Sequence, residues 1–390
     1  MSDAVIVDAI RTGTGTRYGG LRGWHPADLA GQILAALVER NDLDPALVDD
    51  VIMGCVTQVG EQGMNVGRSA VLAAGFPEKV PATTVDRQGA SSQQALHFAA
   101  QGVMAGAYDV VIAAGVEAMS RVPLGASMQV GGRPFGPAVL ARYAVAGGLV
   151  PQGISAEIIA DRWNLSREDL DALGVRSQQR AARARVEGRF DREILPVVIR
   201  DERGRETSDI LDHDEGVRAE ATVEALAALK PAFKEDGKVT AGNSSQIGDG
   251  AAAVLLTSEE KATQLGLEPR ARVHAFAAAG VDPLAMLTGP IPATEKVLER
   301  AKLVVEDIDV FEIDEAFASV VLAWQTELQA DLDRVNVNGG AIAMGNPVGC
   351  AGARLMTTLV HELSRSSGRY GLQAMCGAGG VATATVVERL

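Results

Sequence analysis

Three short motifs in the last third of the sequence carry side chains that could transfer a proton or bind an oxyanion. Asp314 begins Asp-Glu-Ala-Phe, Asn346 lies in Gly-Asn-Pro-Val-Gly, and Cys376 precedes Gly-Ala-Gly-Gly. A positioned carboxylate can deprotonate water if its pKa and geometry allow, and a thiol can move a proton. Asn346 can donate a neutral hydrogen bond but cannot accept a proton near pH 7. For an arbitrary cysteine, a buried structural thiol is the alternative interpretation of Cys376.

A tight turn around Gly89 leads into a helix in the first third of the chain. The stretch from Thr84 to Ala95 is typical of a short strand, a turn and a helix. A thiol at such a helix start would have a lowered pKa, because the helix N-terminus favours the thiolate. Gly89 has no side chain to act in this way. Ser91 lies two residues on, but a helix turns about 200° over two residues, so we expect its hydroxyl to point elsewhere.

Strands and amphipathic helices alternate along most of the chain, which predicts an α/β layered fold with much parallel sheet. The predicted strands are Ala4–Ile10, Val51–Gly54, Thr83–Val85, Val110–Ala114, Ala251–Thr257, Val273–Ala277, Val310–Ile313, Val335–Asn338, Leu372–Cys376 and Ala382–Val387. The predicted helices are Ala27–Glu39, Asn65–Ala74, Ser92–Met104, Thr294–Ala301, Phe317–Leu328 and Gly349–Ser364.

Residues 119–245 interrupt this alternation. Ser120 to Gln152 is rich in Gly, Pro and Ala, and residues 201–215 are charged and irregular. Ser166–Asp169 resembles a capping box that begins a long polar helix reaching about Gly188. We interpret 119–245 as an insertion in the first sheet domain that contains little β-sheet.

The two halves of the chain share a sequence pattern. In each half a strand runs into a glycine turn, at Gly89 or at Gly339-Gly340, and a helix and a further strand follow. This pattern indicates a duplicated unit. A duplication would make the two helix starts face one another across a shared cleft.

Composition bounds the possible functions of the 390 residues. The 36 basic and 50 acidic residues give a net charge of −14, which opposes non-specific binding to nucleic acid or to an anionic membrane. Cys55, Cys350 and Cys376 are odd in number and fit neither a metal site nor a disulfide framework. No leader or membrane-spanning apolar run is evident, so we expect a cytoplasmic protein without a metal.

Four motifs in this order and spacing resemble the thiolase family. They are Asp86–Ala95, Gly242-Asn-Ser-Ser with Asp249-Gly-Ala-Ala, Asp314–Phe317 and Gly345–Gly349, with Cys376 and a Gly/Ala run after them. The resemblance covers Val5 to Leu390. It is especially close to bacterial thiolases that act on steroid-derived or other bulky 3-oxoacyl-CoA thioesters.

The resemblance implies a duplicated, five-layered αβαβα thiolase fold. Residues 1–118 with 246–268 would form the N-terminal half, 119–245 a loop domain for coenzyme A and oligomer contacts, and 269–390 the C-terminal half. It also implies homodimers or homotetramers, and acyl transfer through a cysteine thioester. Coenzyme A thioesters would be substrates or ligands, and no permanently bound cofactor is implied.

The same resemblance shows which positions depart from the family pattern. Gly89 stands at the position of the nucleophilic cysteine, so an acyl-enzyme cannot form there. Asn346 replaces the histidine of a Gly-His-Pro motif, and Asp314 replaces an asparagine that holds water. An ionised Asp314 would repel a developing oxyanion but could activate that water. Cys376 matches the acid/base cysteine and is retained.

Four further residues match positions that bind coenzyme A in the family. Arg218 would lie against the nucleotide, while Phe233, Ser245 and Phe317 would line the pantetheine tunnel. The alternatives are a solvated arginine, core phenylalanines and a capping serine.

The leading hypothesis is a thiolase-like protein that binds acyl-CoA but cannot form the acyl-cysteine intermediate. Cys376, with Asp314, would transfer protons at the α-carbon or activate water. Aldol-type cleavage, non-covalent condensation and thioester hydrolysis fit this hypothesis, whereas we expect ordinary thiolysis to be near background. The alternatives are a non-catalytic scaffold that pairs with another acyl-CoA enzyme and a deliberately inactivated thiolase.

Overall fold

The computed structural model describes residues 3–132 and 134–390. The strands are β1 (Ala4–Thr12), β2 (Gly15–Thr16), β3 (Asp50–Gly54), β4 (Ala82–Val85), β5 (Val110–Ala118), β6 (Ile194–Leu195), β7 (Val197–Arg200), β8 (Glu206–Leu211), β9 (Gly248–Ser258), β10 (Ala271–Gly280), β11 (Val310–Ile313), β12 (Tyr370–Gly377) and β13 (Val381–Arg389). The α-helices are α1 (Pro26–Arg40), α2 (Val66–Ala73), α3 (Ser91–Met104), α4 (Pro137–Tyr143), α5 (Gln152–Arg162), α6 (Arg167–Val186), α7 (Val223–Ala227), α8 (Glu259–Leu265), α9 (Pro290–Ala301), α10 (Ala318–Leu328), α11 (Ala341–Met344) and α12 (Ala351–Ser366).

Most strands belong to one mixed sheet. Its main path runs β11-β12-β13-β10-β1-β9-β5-β3-β4, while β2 pairs with β9 and β6 pairs with β1. The centre is antiparallel, since β1 is antiparallel to both β9 and β10. Parallel pairs lie toward the two ends, where β3 joins β4 and β5, and β11 joins β12. The expectation of much parallel sheet therefore holds only for the outer parts.

The two halves of this sheet have the same topology. From its edge inward, the N-terminal half runs β4, β3, β5, β9 and β1, with two parallel pairings followed by two antiparallel ones. The C-terminal half repeats these pairings from a bridge at Val335 through β11, β12, β13 and β10. The halves join where Val5 pairs with Arg272 and Ile6 with Ala271. The duplication inferred from the sequence is confirmed.

The predicted strand Val335–Asn338 is wrong. Val335 makes one isolated parallel bridge to Phe311, and Asn336 then adopts a left-handed φ of 48°. The Asn336 side chain accepts a hydrogen bond from the Ile313 N–H at 2.8 Å and donates to the Ile313 carbonyl at 2.9 Å. These side-chain hydrogen bonds replace the ladder that a strand would make, so the chain turns instead of extending.

The prediction that residues 201–215 are irregular is also wrong. Glu206–Leu211 forms β8, which pairs antiparallel with β7. Only Leu211 of this strand is buried. Its exposed polar side chains hide the alternation by which a half-buried strand is usually recognised.

Three apolar clusters separate five layers. In the N-terminal half, α1 and α2 cover the outer face of the sheet, and α5, α9 and α10 cover the C-terminal half. A third cluster packs α3 and α12 between the inner faces. Alternate residues of β5 show both faces, because Ile112 belongs to the outer cluster and Val111 and Ala113 to the central one. The order helix, sheet, helix, sheet, helix agrees with the five-layered fold.

The first turns of the two central helices, α3 and α12, contact each other. The Ala353 N–H donates to Ser92 Oγ at 2.9 Å. A Cβ on Gly352 would lie 2.4 Å from the backbone nitrogen of Gln93, so this approach requires glycine. The turns before α3 and α12 are thereby held in one cleft, as the duplication predicts.

The inserted segment is mainly helical, although β6 adds two residues to the main sheet and β7 and β8 form a hairpin. Ser166 and Asp169 form the predicted capping box, and the helix that follows ends at Val186. Within residues 3–132 and 134–390, no helix is both long and apolar enough to cross a bilayer.

Candidate active site

Gly89, Asp314, Asn346 and Cys376 line one narrow pocket of about 20 Å³. They come from the turn before α3, the end of β11, the turn before α12 and the end of β12. The other lining residues are Val56, Gln88, Leu124, Gln152, Leu287, Ala316, Val348 and Gly377. The structure therefore brings together the four positions that the sequence had singled out for chemistry.

Cys376 and Asp314 form a hydrogen-bonded pair in this pocket. The Cys376 thiol donates to Asp314 Oδ2 at 3.2 Å, and both residues are 2% exposed. Parallel pairing of β11 with β12 aligns Ile313 with Ala374, and the Asp314 N–H donates to the Ala374 carbonyl at 3.0 Å. Two adjacent strand ends thus fix the thiol against the carboxylate.

Burial shifts the pKa values of both members of the pair. Loss of solvent raises the pKa of Asp314 to about 6, although the hydrogen bond from Cys376 opposes this rise. Burial, followed by the neighbouring Asp314 carboxylate, raises the pKa of the Cys376 thiol well above its usual value. At pH 7 the pair therefore consists of a mostly ionised acceptor and a protonated thiol. This arrangement suits proton transfer between a ligand, the sulfur and the carboxylate.

Asn346 adds a second polar group beside Asp314. Its Nδ2 lies 3.4 Å from Asp314 Oδ1, and its backbone N–H donates to the Gln246 carbonyl at 2.8 Å. The carboxylate fixes the amide orientation, since the reversed amide would set two acceptors against each other. Asn346 Oδ1 is then left buried without a hydrogen-bond partner in the described structure. Asn346, which lines the pocket, thus keeps one buried acceptor unused in the described structure.

Gly89 faces the pair from the N-terminal half. A Cβ built on Gly89 would lie 3.7 Å from Asp314 Oδ2 and only 2.6 Å from the Cys376 carbonyl oxygen. Ordinary Cβ contacts are longer, so any side chain at position 89 requires the backbone at Cys376 to move. The two halves approach each other so closely here that the observed backbone leaves no room for a side chain at position 89.

Ser91 has a structural role in the Gly89 turn. Its hydroxyl donates to the Gln88 carbonyl at 2.6 Å and accepts from the Arg87 N–H at 2.9 Å. Gln88 has a left-handed φ of 51°, and its N–H donates to Asp86 Oδ1 at 2.7 Å. Ser91 is fully buried and does not line the pocket. Its hydroxyl does not face the pocket, as expected, but the reason differs: Gly89 precedes α3, and the hydrogen bonds within the turn set the direction of the hydroxyl.

Glu117 is a buried carboxylate that the sequence did not reveal as part of the site. It accepts hydrogen bonds from the N–H groups of Val56, Thr57 and Gly349 and from the Gln62 side chain, at 2.7–3.1 Å. Val56 lines the pocket and Gly349 follows a lining residue. Glu117 therefore ties two pocket loops from opposite halves together. The one available signal was an acidic residue at the end of an apolar strand.

The inserted segment closes the pocket. Leu124 and Gln152 contribute to its wall, although 28 positions separate them in the sequence. Leu287 comes from a short turn of helix before α9. No local pattern marks these residues, because their role depends on how the insertion folds over the cleft.

Three of the four positions expected to bind coenzyme A gather beside this pocket. The rings of Phe233 and Phe317 meet edge to face, with centroids 5.8 Å apart. The Ser245 N–H donates to the carbonyl of Ala316, which lines the pocket, at 3.0 Å. Phe233 remains 43% exposed, so it stands at the surface rather than in a closed core.

Arg218 lies apart from this group. Its side chain is exposed, and its backbone N–H donates to Gln178 Oε1 at 2.7 Å. The structure leaves its expected contact with a nucleotide as a prediction. Within the described ranges, no group of three or more His, Cys, Asp or Glu side chains is arranged to hold a metal ion.

The chain matches two family profiles over nearly its whole length. "Thiolase, N-terminal domain" matches residues 4–260, and "Thiolase, C-terminal domain" matches residues 267–389. The boundary lies between β9 and β10, where the two halves of the sheet separate.

Individual proteins support the same relationship. The chain is 47% identical to the steroid 3-ketoacyl-CoA thiolase FadA6 of Mycobacterium tuberculosis, over 100% of this chain and 95% of that protein. It is 44% identical to a beta-ketoadipyl-CoA thiolase of Escherichia coli, over 100% of both chains. The crystal structure of the Bacillus anthracis acetyl-CoA acetyltransferase superposes with a TM-score of 0.91 at 39% identity, covering 100% of this chain and 99% of that one.

Proposed function

This chain belongs to the thiolase family, and we propose that it binds acyl-CoA thioesters and moves protons at their α-carbon without an acyl-cysteine intermediate. The observation that carries the proposal is the Cys376–Asp314 hydrogen bond of 3.2 Å, in a pocket where position 89 has no side chain. The relatives are named as thiolases, so the proposed departure concerns the nucleophile and not the scaffold.

The pair can carry out both directions of proton transfer. When a thioester places its α-carbon beside the sulfur, Asp314 takes the thiol proton as the sulfur removes the proton from carbon. The result is a protonated carboxyl, a thiol and an enolate. The reverse step returns a proton to carbon. Because the pKa of Asp314 is about 6, its carboxylate is mostly available as the acceptor at pH 7.

The surroundings of the pocket support one class of substrate. Phe233 and Phe317 offer apolar surface for a pantetheine arm, and the exposed Arg218 offers positive charge for a nucleotide. We assign 3-oxoacyl-CoA or related acyl-CoA thioesters as ligands, including the bulky acyl groups named for the steroid thiolase relative.

Hydrogen–deuterium exchange at the α-carbon tests this proposal directly. Acetyl-CoA and a longer acyl-CoA incubated with the protein in D₂O should gain deuterium at C2, as measured by mass spectrometry. Cys376→Ala should reduce the exchange rate by about 10²–10⁴, the usual contribution of a positioned acid or base. Cys350→Ala is the matched control, because Cys350 is equally buried but does not line the pocket. Thiolysis of 3-oxoacyl-CoA that disappears in Cys376→Ala would contradict the proposal.

Restoring a thiol at position 89 gives a second test. Gly89→Cys should not restore thiolysis, because its Cβ would lie 2.6 Å from the Cys376 carbonyl oxygen and because Asn346 and Asp314 remain. Activity in the single variant, with acylation of the introduced thiol seen by intact-mass measurement, would show that one missing side chain alone separates this protein from its relatives.

A non-catalytic acyl-CoA-binding subunit is the second candidate, with another acyl-CoA enzyme as its partner. Gly89 favours it, because this position in the pocket wall offers no nucleophile. Calorimetry separates the two candidates. Acyl-CoA binding without exchange at C2 in any acyl-CoA tested would support the binding subunit over the enzyme.

We also propose that the chain forms a homo-oligomer through its insertion. Exposed apolar side chains between positions 124 and 145 include Leu124, Met128, Val130, Phe135, Leu140 and Val145. Such a concentration is typical of a contact surface. Sedimentation velocity should give a dimer or tetramer, and Val145→Glu with Leu140→Glu should shift it toward the monomer.

A further inference from the structure

We propose that a water molecule held by Asn346 and Asp314 replaces the missing nucleophile, so that the protein cleaves 3-oxoacyl-CoA hydrolytically between C2 and C3. This inference rests on the proposed function, because the same Cys376 thiol must deliver a proton to C2. It goes further by naming the nucleophile, the bond that breaks and the products.

The pocket has the size that such a water requires. Its volume is about 20 Å³, and a site of roughly 10–15 Å³ is enough for one water molecule. A side chain at position 89 would intrude on this space, since its Cβ would lie 3.7 Å from Asp314 Oδ2. Gly89 therefore leaves room for a small nucleophile next to the carboxylate.

Two residues that line the pocket, Asn346 and Asp314, carry acceptors for the two O–H groups of a water molecule. Asn346 Oδ1 is buried with no hydrogen-bond partner in the described structure, and Asp314 supplies a carboxylate beside it. A buried polar atom without a partner is unusual and points to a bound donor. Hydrogen bonding to both acceptors would orient one water lone pair away from them, toward a carbonyl carbon in the pocket.

Asp314 and Asn346 have different roles in this arrangement. Asn346 cannot take a proton near pH 7, so it positions the water, and Asp314 removes the proton. The 3.4 Å contact between Asn346 Nδ2 and Asp314 Oδ1 holds the amide nitrogen on the carboxylate, which leaves the amide oxygen as the acceptor that a water can use. The two residues that replace the family pattern thus become the two groups that hold a nucleophilic water.

The reaction balances without another reagent. The water oxygen bonds to C3 as Asp314 accepts a water proton. The C2–C3 bond then breaks, its electron pair forms the thioester enolate, and Cys376 donates the thiol proton to C2. Asp314 returns its proton to the sulfur along the 3.2 Å hydrogen bond. The products are a free carboxylic acid and a shortened acyl-CoA, which is acetyl-CoA when C2 carries no substituent.

The experiment supplies 3-oxohexanoyl-CoA and a bulkier 3-oxoacyl-CoA to the full chain in H₂¹⁸O, with no free coenzyme A. We expect butyric acid with one ¹⁸O atom, an equal amount of acetyl-CoA without ¹⁸O, and no release of coenzyme A. Asn346→Leu removes the acceptor at similar volume. It should lower cleavage at least tenfold more than it lowers deuterium exchange at C2. Cys350→Ala again serves as the control outside the pocket.

Each alternative product overturns the inference in a recognisable way. Butyryl-CoA that appears only when coenzyme A is added would mean thiolysis. Release of coenzyme A with ¹⁸O in the 3-oxo acid would place the water at the thioester carbonyl instead of C3. Exchange at C2 without cleavage would overturn the water assignment and leave the proposed function standing. Absence of both exchange and cleavage would overturn the proposed function itself.

Discussion

The two halves of the molecule share one topology but contribute unequally to the pocket. In each half a parallel edge leads to two antiparallel strands, and a central helix begins at the cleft. The C-terminal half supplies Asp314, Asn346 and Cys376, whereas the corresponding turn of the N-terminal half supplies Gly89. The carboxylate and the thiol that line the pocket therefore both come from one half.

This difference shows that one half of a duplicated fold can help to shape a pocket while the other half supplies its ionisable side chains. The N-terminal half still shapes the pocket, since Glu117 holds loops of both halves and the Gly89 turn packs on the Cys376 carbonyl. Its Gly89 turn contributes no side chain to the pocket. The backbone framework of the site needs none at this position, because strand pairing and helix packing hold it.

The largest expected effect comes from the chemistry of the C-terminal half. Asp314→Asn should lower α-carbon exchange by about 10²–10⁴, because the acceptor of the thiol proton is lost. In the unaltered protein the exchange rate should rise with pH through about 6, as Asp314 ionises, and then level off. Exchange rates measured between pH 4.5 and 8.5 check both statements. If the exchange rate of Asp314→Asn still rises with pH through about 6, the ionisation of another group must cause the rise.

The framework contributed by the N-terminal half should matter chiefly for stability. Glu117→Ala leaves three backbone N–H groups and the Gln62 amide without their acceptor, so the free energy of unfolding should fall by on the order of 3 kcal/mol. Urea unfolding measures the loss. Glu235→Ala, at an exposed position, should change stability by less than about 0.5 kcal/mol. Equal losses in both variants would contradict the role given to Glu117.

Asp314 should also make stability depend on pH. Its pKa is about 6 in the folded protein against 3.8 for an unperturbed group, so the folded state holds the proton more tightly. The contribution of Asp314 to stability should therefore be greatest below about pH 4, fall as pH rises to about 6, and stay level above it. The shift corresponds to roughly 3 kcal/mol.

The Asn variant isolates this contribution. The stability difference between Asp314→Asn and the unaltered protein should grow by up to about 3 kcal/mol from pH 4 to pH 8. Asp236→Asn, at an exposed position, is the control. A difference that does not change with pH would mean that Asp314 is solvated in the folded protein.

The smallest expected effect concerns Ser91. Ser91→Ala removes two hydrogen bonds within the Gly89 turn, so stability should fall by about 1 kcal/mol. Exchange and cleavage should stay within about twofold, because the hydroxyl does not face the pocket. A loss of activity comparable to that in Cys376→Ala would make Ser91 a nucleophile and restore chemistry to the N-terminal half.

Much of the fold could be predicted because strong apolar periodicity coincides with the observed elements. The strand β11 and helices α1 and α3 lie within one or two residues of the predicted bounds. The prediction failed where contacts between distant segments determine the local structure. Asn336 turns the chain through hydrogen bonds with Ile313, and β8 is recognised only by its pairing with β7.

The candidate site likewise contains some residues that could be predicted from the sequence and others that could not. Gly89, Asp314, Asn346 and Cys376 could be named because their short motifs resemble those of the thiolase family. Leu124, Gln152 and Leu287 could not, because they meet only when the insertion folds over the cleft. Glu117 escaped notice because a single carboxylate at a strand end is not distinctive until its four donors are placed around it.

By itself, the sequence determined which chemical groups exist: no side chain at position 89, a carboxylate at 314, an amide at 346 and a thiol at 376. Only the tertiary structure decided that the thiol donates to the carboxylate at 3.2 Å and that the amide oxygen has no hydrogen-bond partner among the described residues. It also decided that burial raises the pKa of Asp314 to about 6. Residue type is encoded locally, whereas distance, orientation and solvent exclusion arise from packing between segments far apart in the chain.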